Sequence, residues 1–194
     1  MGQLISRTQS FEELALPHLE DLYDTALYLF HDESQARYFV VESFARAYRS
    51  WPLFRIGSDC RTWLFRIMAD AFHQGQRPFP YPLAAKGKVD ECVGSIEKYR
   101  SPVHQLADRA FQVPLAEVSE EDLKRTIADL PDNCRLLVVL CLLQGFSLQQ
   151  IADITSIDIK TVRRRMHQAR KIMKEALFAL WRAKASDERT QTAS

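Results

Sequence analysis

The sequence predicts an all-α protein of two small helical bundles joined by a long Pro-rich linker, the C-terminal bundle containing a helix-turn-helix. Three observations carry this. Apolar residues recur at i, i+3, i+4 and i+7 in both halves, and no convincing strand pattern occurs. Pro78, Pro80, Pro82, Gly87, Gly94, Pro102 and Pro114 interrupt every periodic run between the halves. Near the C-terminus two capped helix starts, at Ser147 and Asp158, follow each other closely.

In the N-terminal bundle, residues 1–77, Ser10-x-x-Glu13 is a capping box that opens a helix, which Pro17 kinks or divides. Beyond it Leu19, Leu22, Tyr23, Ala26, Leu27 and Phe30 keep to one face. Asp32 to Ser34 offer caps for a second helix with the stripe Ala36, Phe39, Val40, Ser43, Phe44, Ala47 and Tyr48, ended by Pro52. After the loop Phe54 to Asp59, a third helix carries Leu64, Ile67, Met68, Ala71 and Phe72. Three such stripes make one bundle.

Residues 78–118 are too long for an ordinary connection inside a compact domain and read as a linker, flexible or ordered by a partner. Periodicity resumes at Ser119, where an acidic first turn precedes Leu123, Ile127 and Leu130. After Pro131 the apolar run Leu136 to Leu143 forms the central helix of the second bundle, residues 119–184, and Gly145 ends it. Residues 185–194 are polar and expected to be a disordered tail.

Within that bundle Ser147 caps, Gln150 completes the capping box, and Phe146 staples against Ile151. The grammar repeats when Asp158 caps and Ile157 staples against Val162. Two capped helices separated by Thr155 to Ile157 are the signature of a helix-turn-helix, whose second helix enters the major groove of DNA. Ile159, Val162, Met166 and Ala169 form its core stripe, which turns Lys160, Thr161, Arg163, Arg164, His167 and Gln168 outward. Arg can bond guanine in bidentate fashion and Gln adenine, while Lys and other Arg side chains meet phosphates.

A solvated basic face is the plainer reading of such a run. Against it, Lys160 to Glu175 holds seven bases and one acid, so i, i+4 pairing cannot account for them. Met1 to Arg77, by contrast, carries ten acids against eight bases, and the whole chain only a formal +1.

Composition excludes other classes. With 46% hydrophobic and 26% charged residues the chain is ordinary globular material. It has no stretch near the roughly 18 apolar residues of a membrane span and no secretory pattern in Met1 to Ser10, so a cytoplasmic location is expected. Cys60, Cys92, Cys134 and Cys141 have no metal-ligand spacing, and Cys134 and Cys141 read as buried small hydrophobes. There is no Gly-rich phosphate loop and no nucleophile beside a base, so neither cofactor, metal nor catalysis is expected. Trp51, Phe54 and Trp63 could form a ligand cage but fit a core better.

The residues resemble the extracytoplasmic-function (ECF) sigma factors, which recruit bacterial RNA polymerase to promoters. Leu130-Pro131, Arg135, Gly145-Phe146-Ser147, Gln150-Ile151-Ala152, Thr161-Val162, Arg163, Arg165, His167 and Ala169-Arg170 carry the C-terminal likeness. Phe11-Glu12, Tyr23, Ala26-Leu27, Glu42, Phe44, Ala47-Tyr48, Phe54-Arg55 and Thr62 to Ile67 carry the N-terminal one. The resemblance implies core polymerase and promoter DNA as partners, and an anti-sigma factor as a possible third. It implies minus-35 reading by Lys160, Thr161, Arg163, Arg164, Arg165, His167, Gln168 and Arg170. Minus-10 reading would fall to Ser58, Asp59, Cys60, Arg61, Trp63, Arg66, Asp70, His73, Gln74 and Arg77, and polymerase binding to Tyr38, Val41, Glu42 and Tyr48.

Several positions depart from the family's pattern. Its acidic second helix is replaced by Gln35, Arg37, Tyr38 and Val41, with Glu42 kept. Asp70 and Gln74 stand for its usual Asn and Asp, and Gly75 to Pro78 for a basic cluster. Asp70 beside a phosphate-rich strand is repulsive and predicts weak, specific or assisted melting. Ser156 and Lys160 replace glycines and are expected to take helical geometry. Two rival readings are a helix-turn-helix regulator with a sensing or dimerising N-terminal bundle, and a divergent sigma-like protein that does not initiate.

Overall fold

The computed structural model describes residues 11–30, 32–55, 57–74 and 119–191, with side chains as far as Ala183. Ser10, Arg77, Cys92 and the expected linker at 78–118 lie outside the described residues. Every regular element among the described residues is helical. The chain divides into two compact units, Met1–Arg100 and Ser101–Ser194, except that the short segment Ala152–Ser156 groups with the first.

In the first unit residues 11–15 are helical, and Pro17 then tightens Leu16–His18 into a 3-10 turn. Helix α1, Leu19–Phe30, continues from it. Asp32 caps α2, Glu33–Ser50, by accepting from the N–H of Gln35 at 2.7 Å. A second 3-10 turn, Trp51–Leu53, ends α2 at Pro52. Helix α3, Cys60–His73, closes the bundle by packing on α2, which also packs on α1. Leu22, Leu29, Val40, Leu64 and Met68 are wholly buried. Each such side chain stabilises the fold by roughly 1.5–3 kcal/mol. Thr25 and Ser43, also buried, donate to the carbonyls of Asp21 and Phe39, so neither hydroxyl is left unsatisfied.

The expected stripes hold in α1 and α2 with three exceptions. Leu27 and Phe30 are only half-buried, whereas Tyr28 and Leu29 are buried. Tyr48, placed in the buried stripe, is 51% exposed, because its ring lies outside Phe11, edge-on at 5.3 Å.

In the second unit Ser119 and Asp122 form a reciprocal capping box for α4, Glu120–Ala128. Arg135 caps the other end, donating from Nη2 to the carbonyls of Ala128 and Leu130 at 2.6 and 3.0 Å. Helix α5, Asp132–Leu142, buries Cys134, Leu136 to Leu140 and Leu142. Gly145, at φ +69°, then reverses the chain so that the N–H of Phe146 reaches the carbonyl of Leu140. Helix α6, Leu148–Thr155, and helix α7, Ile159–Gln191, follow, with α7 packed on α4 and α5.

Two expectations are corrected here. Residues 185–191 are helical rather than a disordered tail: no Gly or Pro follows Gly145, and Ala183, Lys184, Ala185, Glu188 and Arg189 all favour helix. Ser156 does not take helical geometry; it sits at φ +55° between α6 and α7. A left-handed turn is what lets two helices leave one short connection at a steep angle, and for a residue with a Cβ it costs roughly 1–2 kcal/mol. Replacing Ser156 with Gly is therefore expected to stabilise the chain by about 1 kcal/mol, read as a higher urea midpoint. An unchanged or lower midpoint would refute strain at this turn.

Candidate nucleic-acid interface

The helix-turn-helix is built from local hydrogen bonds. Ser147 N–H donates to Gln150 Oε1 at 2.9 Å, and Gln150 N–H returns to Ser147 Oγ at 3.3 Å. Phe146 and Ile151, at the staple positions, are both buried. At α7 the carboxylate of Asp158 accepts from the N–H of Thr161 at 2.9 Å, while Val162 is buried and Ile157 half-buried. Thr161's hydroxyl and N–H hold the Asp158 carboxyl below the ordinary aspartate value.

Val162, Met166, Ala169, Met173 and Leu177 are buried along one side of α7. This fixes the rotation of the helix and leaves Lys160, Arg163, Arg164, His167 and Gln168 exposed, as the sequence predicts, and Arg170 exposed with them, whereas Thr161, also expected outward, is half-buried. Thr161 and Arg165 are half-buried on the flank, and the Arg165 carbonyl lies 3.7 Å from the thiol of Cys134. The ion pairs among the described residues leave Lys160, Arg163 and Arg164 without a carboxylate, so the outward face keeps its positive field.

In the first unit, Gly57 at φ +94° turns the chain before α3. Ser58 is pinned to the Arg55 carbonyl through both its N–H and its hydroxyl. Asp59 caps α3, accepting from the N–H groups of Arg61 and Thr62 and from the Thr62 hydroxyl, the last lowering its pKa most. Arg61 Nε donates to Asp21 of α1 at 2.9 Å, and its guanidinium lies 5.3 Å from the Phe65 ring centroid. Cys60, one of the residues implied as a minus-10 contact, is instead buried, 9% exposed, because position one of α3 points into the bundle. Burial pushes its thiol up to about 11.

Along α3, Trp63 is half-buried, and Arg66, Asp70, His73 and Gln74 are exposed at helical spacing on one side. The structure thus gathers four of the expected minus-10 residues into a face beside the loop. His73 Nδ1 donates to the Ala69 carbonyl at 2.8 Å. Trp51 and Phe54 stack at 4.7 Å, Phe54 tilts on Trp63 at 4.8 Å, and Trp51 and Phe54 are only 6% and 8% exposed, so the aromatic cluster is core.

Of the expected polymerase residues, Tyr38 and Tyr48 are exposed and Val41 is half-buried. The Glu42 side chain is only 10% exposed; its Oε1 accepts from Arg46 Nε and Nη2 at 2.9 and 2.5 Å. Arg46 Nη1 also donates to Gln74 Oε1 at 2.9 Å, linking α2 to the end of α3. The Glu42–Arg46 pair was legible as an i, i+4 spacing, whereas no local signal marks Asp21 as the partner of Arg61. Burial raises the pKa of Cys134 and Cys141 as well, and Cys141 is half-buried rather than buried. Among the described residues no His, Cys, Asp or Glu cluster could hold a metal ion, and no helix is long and apolar enough to cross a membrane.

Two helical units, one ending in a stapled helix-turn-helix with an open basic face, define a DNA-binding transcription protein. A family model described as sigma-70, region 4, matches residues 120–173, the stretch from α4 into α7. The ECF RNA polymerase sigma-E factor of Salmonella typhimurium is 32% identical over 137 residues, 68% of each chain. The RNA polymerase sigma-H factor of Pseudomonas aeruginosa is 28% identical over 191 residues, 93% of this chain and 95% of that protein. In fold, the chain is similar to the sigma factor RpoE co-crystallised with the anti-sigma factor NepR from Bartonella quintana. The TM-score there is 0.61 at 22% identity, covering 87% of this chain and 97% of that one. The chain belongs to the extracytoplasmic-function family of RNA polymerase sigma factors. It is a bacterial sigma factor that directs core RNA polymerase to promoters for transcription initiation.

Folding lowers the Asp158 pKa below 3.8, so its ionised form stabilises the folded chain above that pH and the contribution is lost as pH falls. Asp158→Asn keeps a capping acceptor without the titration. Urea titrations from neutral to acid pH should find near-unchanged stability at neutral pH and a shallower acid loss; an equal acid loss would count against the assignment.

Proposed function

We propose that promoter reading is divided between the two units. Residues 119–184 form a region 4-like domain that reads the minus-35 element through Arg163, Arg164 and Gln168, with Lys160, Thr161, Arg165, His167 and Arg170 framing the groove and its phosphates. Residues 1–77 form a region 2-like domain that meets the minus-10 strand through Ser58, Asp59, Arg61, Trp63, Arg66, Asp70, His73, Gln74 and Arg77. Residues 78–118 are the linker between them. The observation that carries this reading is the outward basic and amide face of α7, fixed in rotation by five buried residues and left without carboxylate partners.

Polymerase docks on the α2 face bearing Tyr38, Val41 and Tyr48, with Glu42 acting through Arg46. The protein supplies no chemistry of its own; the polymerase makes RNA. It works in the cytoplasm, and an anti-sigma partner, as RpoE has in its co-crystal structure, holds it inactive.

The test is transcription by core polymerase from a genomic promoter library with and without the protein. Protein-dependent transcripts sharing two upstream elements support the division, and transcripts sharing only one would remove the other unit's role. On the promoters so found, Arg164→Ala should cost about 1–3 kcal/mol of binding and relax preference at one minus-35 position. A uniform loss across sequences would make Arg164 a phosphate contact.

A further inference from the structure

The one cation among residues 58–61, ahead of and opening α3, is already engaged. Arg61 Nε meets Asp21 Oδ2 at 2.9 Å, and the guanidinium lies over Phe65, one turn further along α3 and away from the loop. The two side chains remain 28% and 41% exposed, so the pair sits at the surface where a nucleic-acid strand can reach it. Asp59, the acid of the loop itself, is engaged in capping α3. At the start of α3, Asp59 and Arg61 with Asp21 of α1 make two negative charges against one positive, while the exposed Arg55 lies earlier in the loop. A paired cation projects a dipole field that falls off faster than the field of a lone charge, and a phosphate must displace a carboxylate to reach it. Arg66, exposed on the same helix, has no carboxylate partner among the ion pairs of the described residues and donates from Nη2 to a backbone carbonyl.

We infer that Asp21 is a positioning residue that withholds the Arg61 guanidinium from DNA, so that the loop admits a promoter strand on its bases rather than on its phosphates. The inference rests on the reading of this loop as a minus-10 contact. Asp21 thereby contributes to specificity: it weakens the sequence-independent part of single-strand binding, which is the part every strand offers.

The experiment measures binding of a fluorescent single-stranded DNA of mixed sequence to holoenzyme assembled from the full chain and core RNA polymerase, across a range of salt concentrations. Asp21→Asn should bind roughly threefold more tightly at low salt, with the slope of log affinity against log salt steeper by about 0.7, the signature of one more neutralised phosphate. The double variant Asp21→Asn, Arg61→Gln should bind like Arg61→Gln alone. If Asp21→Asn leaves the slope unchanged and only lowers the melting temperature, the pair is structural and the inference falls. If the gain survives in the double variant, Asp21 acts by its own charge and not through Arg61, which also overturns it. Arg66→Gln tests the underlying reading separately: unchanged binding by that variant would mean that this side of α3 does not face the strand, and both readings would fall together.

Discussion

The rotation of one helix decides what the second unit can do. Val162, Met166, Ala169, Met173 and Leu177 lock α7 against α4 and α5 by burying small and flexible apolar side chains at spacings of three and four. Rotating α7 by one residue, about 100°, would bring Arg163 or Arg170 into the core, where an unpaired guanidinium costs several kcal/mol. The same burial that stabilises the fold therefore sets the donor pattern presented outward. No residue of that face has to be held by a dedicated contact, and this leaves its cations available.

The first unit follows a different principle. Several of its charges are held by specific partners: Glu42 by Arg46, Arg46 by Gln74, and Arg61 by Asp21. Arg37 pairs with Glu33, which also accepts from Tyr23. The caps at Asp32 and Asp59 add fixed carboxylates at helix N-termini, where the dipole favours them. A surface arranged in this way offers shape and hydrogen-bonding groups with little net attraction for phosphate. It suits a site meant to respond to exposed bases, whereas the α7 face suits duplex DNA.

Most of the architecture was legible because it is locally encoded. Ser147, Gln150 and Asp158 mark helix starts by hydrogen bonds to residues three positions away, and the α7 stripe repeats within single turns. The readings that failed concern residues whose environment comes from elsewhere in the fold. Cys60 looks like a loop residue in sequence and is buried by the bundle that α3 completes. Ser156 looks compatible with a helix and is driven to φ +55° by the need to change direction between α6 and α7. Tyr48 falls on the apolar period, but Phe11 occupies the site it would have filled. The Asp21–Arg61 pair spans 40 positions and leaves no trace in either neighbourhood.

The 33-residue length of α7 has a bearing on how such a chain can vary. Among the described side chains its last fully buried anchor is Leu177, 18 positions after Ile159. Insertions or deletions between those two positions shift the phase of everything on one side of them, so a single codon gained or lost there would disable the DNA face while leaving the composition almost untouched. Just beyond Leu177, Phe178, Leu180 and Trp181 are only half-buried, so the phase is held less tightly there. Length polymorphism should accumulate in that distal segment and be purged from the proximal one, an asymmetry imposed by helical geometry alone.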